Sequence, residues 1–386
     1  MNAHLTVIGG GLAGLTAAIA AAETGVPVRL FEAHHRLGGR GRATPPPYVV
    51  HEGAHVFYAD GPHYAWLKRH GFVSDLGWPG IGGWARLGFR AGGRIRKVPP
   101  PGMIRAQAST GTKAPVDVEF HSWAASRWGE HTATQLANAI SVVTYDAETG
   151  GLSAAFVWGL IRRVFGPAVP AVRWVRGGWQ HVIDDMTTRA TELGVRIETG
   201  ARIDEVPTGG PVIVATDLHA ARRLLGDPAL DWRSGHTALL DIAVTASRRD
   251  RTLVFDLDEG GFHESYTMQD DTVAPAGESL YQLQMPIRAG ESAPDAHRRL
   301  EAFADLTIPD RRSRTTFHRT ATARNRTGAL DLPGHTWHDR PAIDRGDDVY
   351  LVGDMVAAPG MRGEISINSA LIAADRAVAA LGTRIP

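Results

Sequence analysis

The chain contains no cysteine. That excludes disulfides, thiolate metal sites, iron–sulfur clusters and any cysteine-linked cofactor, and it fits a reducing compartment. Lysine is nearly missing too. Lys68, Lys97 and Lys113 are the only ones, so no lysine amine is available to chemistry beyond residue 113. No H-E-x-x-H or comparable spacing occurs, and no metal is expected. Net charge is absent: 41 basic residues balance 41 acidic ones, which gives no overall pull toward nucleic acid or an anionic surface. Acid is locally absent as well. Residues 76–116 hold none, but carry Arg86, Arg90, Arg94, Arg96, Lys97, Arg105 and Lys113. A solvated hairpin is the plain reading of that stretch; peripheral contact with the inner membrane face is the sharper one. No internal repeat is visible. The one long apolar run near the N-terminus, Leu5 to Ala22, contains four glycines. It reads as strand, turn and helix rather than as a leader or a membrane span, so a cytoplasmic protein is expected.

What is present begins in that run. Gly9, Gly11 and Gly14 have the G-x-G-x-x-G spacing, with the apolar residues Leu5 to Ile8 before them and Leu15 to Ala22 after. The first glycine permits a tight turn, and the second lets backbone approach a pyrophosphate. The third lets helix and strand pack closely, while the helix N-terminus offers N–H donors and partial positive charge. A second strand, Val26 to Phe31, ends on Glu32, whose carboxylate is placed to accept both hydroxyls of an adenosine ribose. An acid there also disfavours a 2′-phosphate. The chain is therefore expected to bind a dinucleotide.

At 386 residues with 43% apolar content, the chain can bury two domains or one interrupted domain. A second glycine cluster, Gly38-Gly39-Arg40, precedes Pro45-Pro46-Pro47. Gly92-Gly93 predicts a hairpin turn between Leu87–Phe89 and Ile95–Val98. Val118 to Leu160 reads as mostly helical. Trp179 to Leu193 predicts an amphipathic helix closed by Gly194. Strands are expected at Val195–Glu198, Ala201–Val206 and Val212–Ala215. Residues 236–320 read as strand-like runs between turns. Val349–Val352 predicts a last strand, followed by Gly353-Asp354 and a helix from about Ile365 to Leu381. The fold class is α/β: a Rossmann-like nucleotide domain from residues 1–75, 176–235 and 340–386, with an inserted α+β substrate domain from 76–175 and 236–339.

These motifs resemble the FAD-dependent oxidoreductases that include flavin amine oxidases, protoporphyrinogen oxidase and phytoene desaturases. The resemblance runs the length of the chain and is sharp in short stretches: Val7–Gly14 with Glu32 and Gly38-Gly39-Arg40, then Gly177-Gly178-Trp179 through Ile197 to Ile203, and last Val349–Asp354 with the helix after Gly363. Gly53–Tyr58 and Leu152-Ser153-Ala154 look nearest to the bacterial phytoene-desaturase-like branch. The resemblance implies non-covalent FAD. It implies cofactor contacts at Gly9, Gly11, Leu12, Ala13, Gly14, Glu32, Ala33, Gly38, Gly39, Arg40, Gly53, Ala54, Ile203 (through backbone, at the adenine), Ala215, Gly353, Asp354, Gly363, Glu364 and Ile365. It also implies that the helix start at Gly363 faces the flavin pyrimidine edge, where a hydride acceptor gains negative charge.

The chain departs from the family in two places. The late lysine common in the amine oxidase branch is absent, and Ile365-Ser366 with Asn368-Ser369 stand where small residues are usual. Candidate side chains near the reacting centre are His55, Tyr58 and Trp337. A long apolar pocket for a hydrophobic small molecule could be lined by Trp123, Trp128, Phe156 and Trp158, although each aromatic singly reads as core. The expected activity is dehydrogenation by hydride transfer to flavin. The rivals are a flavin-dependent isomerase or cyclase without net redox turnover, and a non-catalytic escort for a lipid-like ligand.

Overall fold

Leu5–Ile8 forms the strand ahead of the glycine turn and lies at the centre of a five-stranded sheet. It pairs in parallel with Val28–Glu32 on one side and Val212–Val214 on the other, and Arg196–Thr199 and Val349–Leu351 complete the edges, also in parallel. The central strands are buried on both faces, as continuous apolar runs in a parallel sheet require. Strand order reverses at Leu5–Ile8, with Val28–Glu32 and Arg196–Thr199 on one side and Val212–Val214 and Val349–Leu351 on the other. Such a reversal opens a crevice beyond the carboxyl ends of the strands. This computed structural model describes residues 4–53, 56–73, 76–77, 83, 85–109, 111–166 and 171–382.

The helices that frame the glycine turn pack around that sheet. The glycine-turn helix, Leu12–Ala22, lies against Gly178–Glu192 and against the closing helix, Gly363–Gly382. Ala17, Ala18 and Ala21 are fully buried, and their small side chains let the closing helix approach closely. The closing helix is long and apolar enough to cross a membrane by composition, but its Ile365, Ile367, Ala370, Ala373 and Ala377 are spent on this core.

A seven-stranded sheet forms the second body. Its order is Thr315–Ala329, Ser234–Thr245, Glu278–Pro286, Phe262–Ser265, Leu253–Asp256, Leu87–Ala91 and Arg94–Arg96. All neighbours are antiparallel except Leu253–Asp256 with Leu87–Ala91. One face, with Leu240, Ile242, Tyr281 and Leu283, packs on the helix Ala293–Thr307. Part of the other face, with Phe89, Phe255 and Phe262, packs on the helical insertion Phe120–Trp128, Glu130–Thr144 and Ala154–Phe165. A small sheet of Val56–Tyr58, Val172–Val175 and Leu76–Gly77 lies between the segments.

Two sequence expectations need correction. Ala201–Val206 is not a strand. Gly200 turns into the left-handed region (φ +69°), and Ala201 N–H makes one last ladder bond to Glu32 O at 2.9 Å before regular pairing stops. Residues 236–320 are also not all strand and turn. They include the helix Ala293–Thr307, opened by Ser292, whose hydroxyl accepts from Asp295 N–H.

Candidate functional site

The crevice is built by two glycine loops that bond to each other. Gly38 N–H donates to Gly10 O at 2.7 Å, and Gly11 and Gly38 form a parallel bridge. The three motif glycines have separate reasons. Gly9 holds φ +109°, and a Cβ there would meet Ala215 O at 2.6 Å. A Cβ on Gly14 would fall 1.8 Å from Gly9 O, so helix and strand touch only because it is absent. Gly11 is different: its conformation suits any residue, and an added Cβ would find nothing closer than Gly39 Cα at 3.9 Å. The space over Gly11 and Gly39 is thus a cradle that a side chain would fill.

Glu32 stands at the end of the second strand with its side chain mostly buried. One carboxylate oxygen accepts from Gly10 N–H at 2.8 Å. The other accepts from His34 N–H at 2.9 Å and meets His34 Nδ1 at 2.7 Å. Burial works against ionisation, but the backbone donors of His34 and Gly10 more than offset it and hold this carboxyl below the usual carboxylate range. It stays anionic with lone pairs to spare, as a ribose acceptor must. Ala33, beside it, is exposed.

Distant chain ends meet at the same edge. Ala215 N–H donates to Ile8 O at 2.8 Å, and Val352 N–H to Val214 O at 2.9 Å. Gly353 N–H donates to Ser369 Oγ at 3.1 Å, tying the last strand to the closing helix. Arg40 of the second glycine loop clasps Asp354 with both guanidinium nitrogens, at 2.5 and 2.7 Å. A Cβ on Gly363 would touch Leu12 at 3.4 Å and Trp179 at 3.7 Å, so the closing helix starts over the first turn of the glycine-turn helix. Leu12 and Ala13 belong to that first turn, and Ile365 is buried behind it. Asp354→Asn is expected to lower stability by about 1 kcal/mol, because it weakens the two charge-assisted bonds that join the second glycine loop to the last strand, on an arginine that is partly exposed. Urea unfolding with and without added FAD measures both that loss and any loss of cofactor affinity.

Sequence reasoning named Tyr58 and Glu364 but missed the arginine and histidine that join them in a second polar centre. Arg163, from the helical insertion, donates to Glu364 Oε2 at 2.8 Å and to Asp60, and its guanidinium lies 4.6 Å from the centre of the Tyr58 ring. Buried His63 bonds to Tyr58 O at 3.0 Å, and its Nε2 stands 3.8 Å from Glu364 Oε1. Burial pushes the Tyr58 phenol up, so it remains a neutral O–H. Next along the turn, Arg362 takes a left-handed conformation (φ 54°) and stacks 4.0 Å over Tyr145, itself left-handed (φ 52°). Paired non-glycine residues of this kind mark a place where packing overrides local preference.

A row of polar residues crosses the seven-stranded sheet: half-buried Arg319 and buried Asp241, Gln282 and Glu264 stand opposite one another on four strands. Arg319 and Gln282 both donate to Asp241, and both also donate to His51 O. Tyr266 O–H lies within reach of Gln282 Oε1 at 2.8 Å and Gly53 O at 3.2 Å. The row thus fixes the segment 51–53 against the sheet. Glu264 ends it, accepting from Trp174 Nε1 at 2.5 Å.

The structure brings Gly9–Gly14, Glu32, Gly38–Arg40, Ala215, Gly353-Asp354 and Gly363 together. Ile203 is half-buried against the same core. Gly53 belongs to the polar row, with Tyr145 Oη near it. Ala54 and His55 lie outside the described residues. Trp337 stacks on its neighbour His338, ring centres 3.5 Å apart, in a single turn. Trp123, Trp128 and Trp158 pack on one another within 5.4 Å as core. Phe156 lines a cleft with Leu160, Met361 and Arg362.

A family model described as an NAD(P)-binding Rossmann-like domain matches residues 7–70. No curated protein matches the sequence. Among solved structures, an oxidoreductase from Methanosarcina mazei superposes over 96% of this chain and 100% of its own, with a TM-score of 0.73 at 14% identity. Cyclohexylamine oxidase from Brevibacterium oxydans covers 100% of both chains, with a TM-score of 0.72 at 13% identity. Reduced UDP-galactopyranose mutase covers 99% of this chain and 98% of its own, with a TM-score of 0.73 at 14% identity. The chain therefore has the Rossmann-based two-body fold that these oxidases, oxidoreductases and mutase share.

Proposed function

We propose that this chain is an FAD-dependent oxidoreductase that binds its cofactor non-covalently and dehydrogenates a small hydrophobic molecule. The observation that carries the reading is the meeting, at one sheet edge, of the glycine turn, Glu32, the Gly38–Arg40 loop, Gly353-Asp354 and the start of the closing helix. The residues fit the group. The open cradle over Gly11 and Gly39 suits a pyrophosphate, and Glu32 suits a ribose diol. The N-terminus of a twenty-residue helix suits an electron-rich ring edge. Bound there, FAD would supply a hydride acceptor. The chain's part is to hold that acceptor, orient substrate and exclude water. Neutral Tyr58 can donate a hydrogen bond, and Arg163 with Glu364 fixes its surroundings.

The visible spectrum of the purified protein tests the cofactor assignment. Flavin bands are expected, with FAD released intact on denaturation. Colourless protein that cannot be reconstituted would overturn it. Anaerobic addition of candidate amines and unsaturable hydrocarbons should then bleach the bands.

Flavin chemistry without net redox turnover is the second reading. The likeness to a mutase and the buried polar row Asp241–Gln282–Glu264 favour it, because an apolar dehydrogenation has little use for such a row. Product formed while the flavin keeps one redox state would select this alternative.

A further inference from the structure

We propose that the acid-free segment after the sheet's edge hairpin docks the protein on an anionic lipid surface. The strand Arg94–Arg96 is the outermost of the seven-stranded sheet and pairs only with Leu87–Ala91. Its Ile95 is turned into the core on one face. Arg94 and Arg96, two residues apart, share the other face, the one on which the short helix Pro101–Ala108 lies. That helix buries Met103 and Ala106 and leaves Pro101, Ile104, Arg105 and Ala108 exposed along one side.

Two features set this patch apart. First, Arg94, Arg96, Lys97, Arg105 and Lys113 make no ion pair with any described residue. Arg90, in the neighbouring strand, is by contrast met by Asp256, Asp258 and Glu259. Second, Val98 (66% exposed) and Ile104 (49% exposed) are the most exposed large hydrophobic side chains among the described residues, and both lie amid those cations.

Charge on an edge strand alone would serve to block strand pairing. Two projecting aliphatic side chains work against that purpose, and they add nothing to a phosphate-tracking nucleic-acid surface, which would use aromatics. Cations with exposed aliphatic side chains suit the headgroup boundary of an anionic bilayer: the charges attract, and Val98 and Ile104 enter the apolar edge. The arrangement is independent of the flavin reading.

The test is sedimentation of the full chain with vesicles of phosphatidylserine in phosphatidylcholine, and with phosphatidylcholine alone. Binding is expected to the anionic vesicles only, falling steeply from low to physiological salt. Arg96→Glu with Lys97→Glu should weaken it at least ten-fold. Val98→Ser with Ile104→Ser should abolish the fraction that survives physiological salt. Bound flavin and circular dichroism should be unchanged in both variants. No sedimentation with anionic vesicles at low salt would overturn the proposal. So would binding indifferent to both variant pairs, or equal retention on duplex DNA that ignores Val98 and Ile104.

Discussion

Gly11→Val is expected to fold normally and to lose its flavin. Gly11 has an extended, unstrained backbone (φ −84°, ψ −171°), and the first atom to meet an added Cβ is 3.9 Å away. The protein therefore has no steric objection to a Cβ at this position. On the flavin reading proposed above, the objection comes from the cofactor, since a branched side chain over Gly11 would stand where its pyrophosphate approaches the backbone. Gly14→Ala is the contrasting variant. Its Cβ would lie 1.8 Å from Gly9 O, inside the closest helix–strand contact of the nucleotide domain. Relief requires moving the helix, at a cost of roughly 3 kcal/mol, the upper end of the usual range for overpacking. The flavin-to-protein ratio and the urea midpoint should thus separate the two: Gly11→Val drops the first and keeps the second, while Gly14→Ala drops both. Gly11→Ala should be intermediate in flavin content. If Gly11→Val retains a full complement of flavin, the cradle is not a cofactor site.

That contrast shows how much of the site was legible in the sequence. The G-x-G-x-x-G spacing, the acid at Glu32, the Gly38-Gly39-Arg40 loop and the Gly353-Asp354 turn are local signals, and each sits on the element its pattern predicted. What the sequence hid is contact between distant segments. Arg163 and Glu364 are 201 positions apart, and although Glu364 follows the Gly363 turn, Arg163 has no motif around it. Arg319 and Asp241 lie in strands of different character. Ser234–Thr245 is apolar and alternates little because both faces are covered. Thr315–Ala329 reads TTFHRTATARNRTGA, too polar to suggest a strand of fifteen residues. It is an edge strand, where charge on the open side is tolerated, and this is why hydrophobic periodicity failed there. The helix Ala293–Thr307 did carry a readable signal, a Ser292 cap followed by proline in the first turn.

Glu264→Gln is expected to make the protein more stable above neutral pH and to remove one pH dependence from its folding. Glu264 is buried, and its only described partner is the Trp174 indole N–H. Burial raises its carboxyl to about 7, against 4.5 for a free glutamate, and the bond from Trp174 recovers only part of the loss. The sign follows from the direction of the shift. The folded state keeps the proton that the unfolded chain gives up above pH 4.5, so this residue's contribution is complete below that value. It declines through the interval and is gone once pH passes about 7. The difference between wild type and variant should therefore tilt toward the variant by about 1.4 kcal/mol per pH unit across the interval. The total is on the order of 3 kcal/mol, and the difference should be flat on either side. Glutamine keeps an acceptor for Trp174, so packing changes little. His263, the preceding residue, is also buried and is held down at about 4. It acts in the opposite sense, costing stability as pH falls below 6.5, but it is common to both proteins and cancels in the difference. The Trp174 indole N–H resonance gives an independent reading, since it should titrate with a midpoint near 7 in the wild type and not in the variant. A midpoint near 4.5 would mean that water reaches Glu264, and the polar row across the sheet would then open to solvent instead of sealing the segment 51–53 against it.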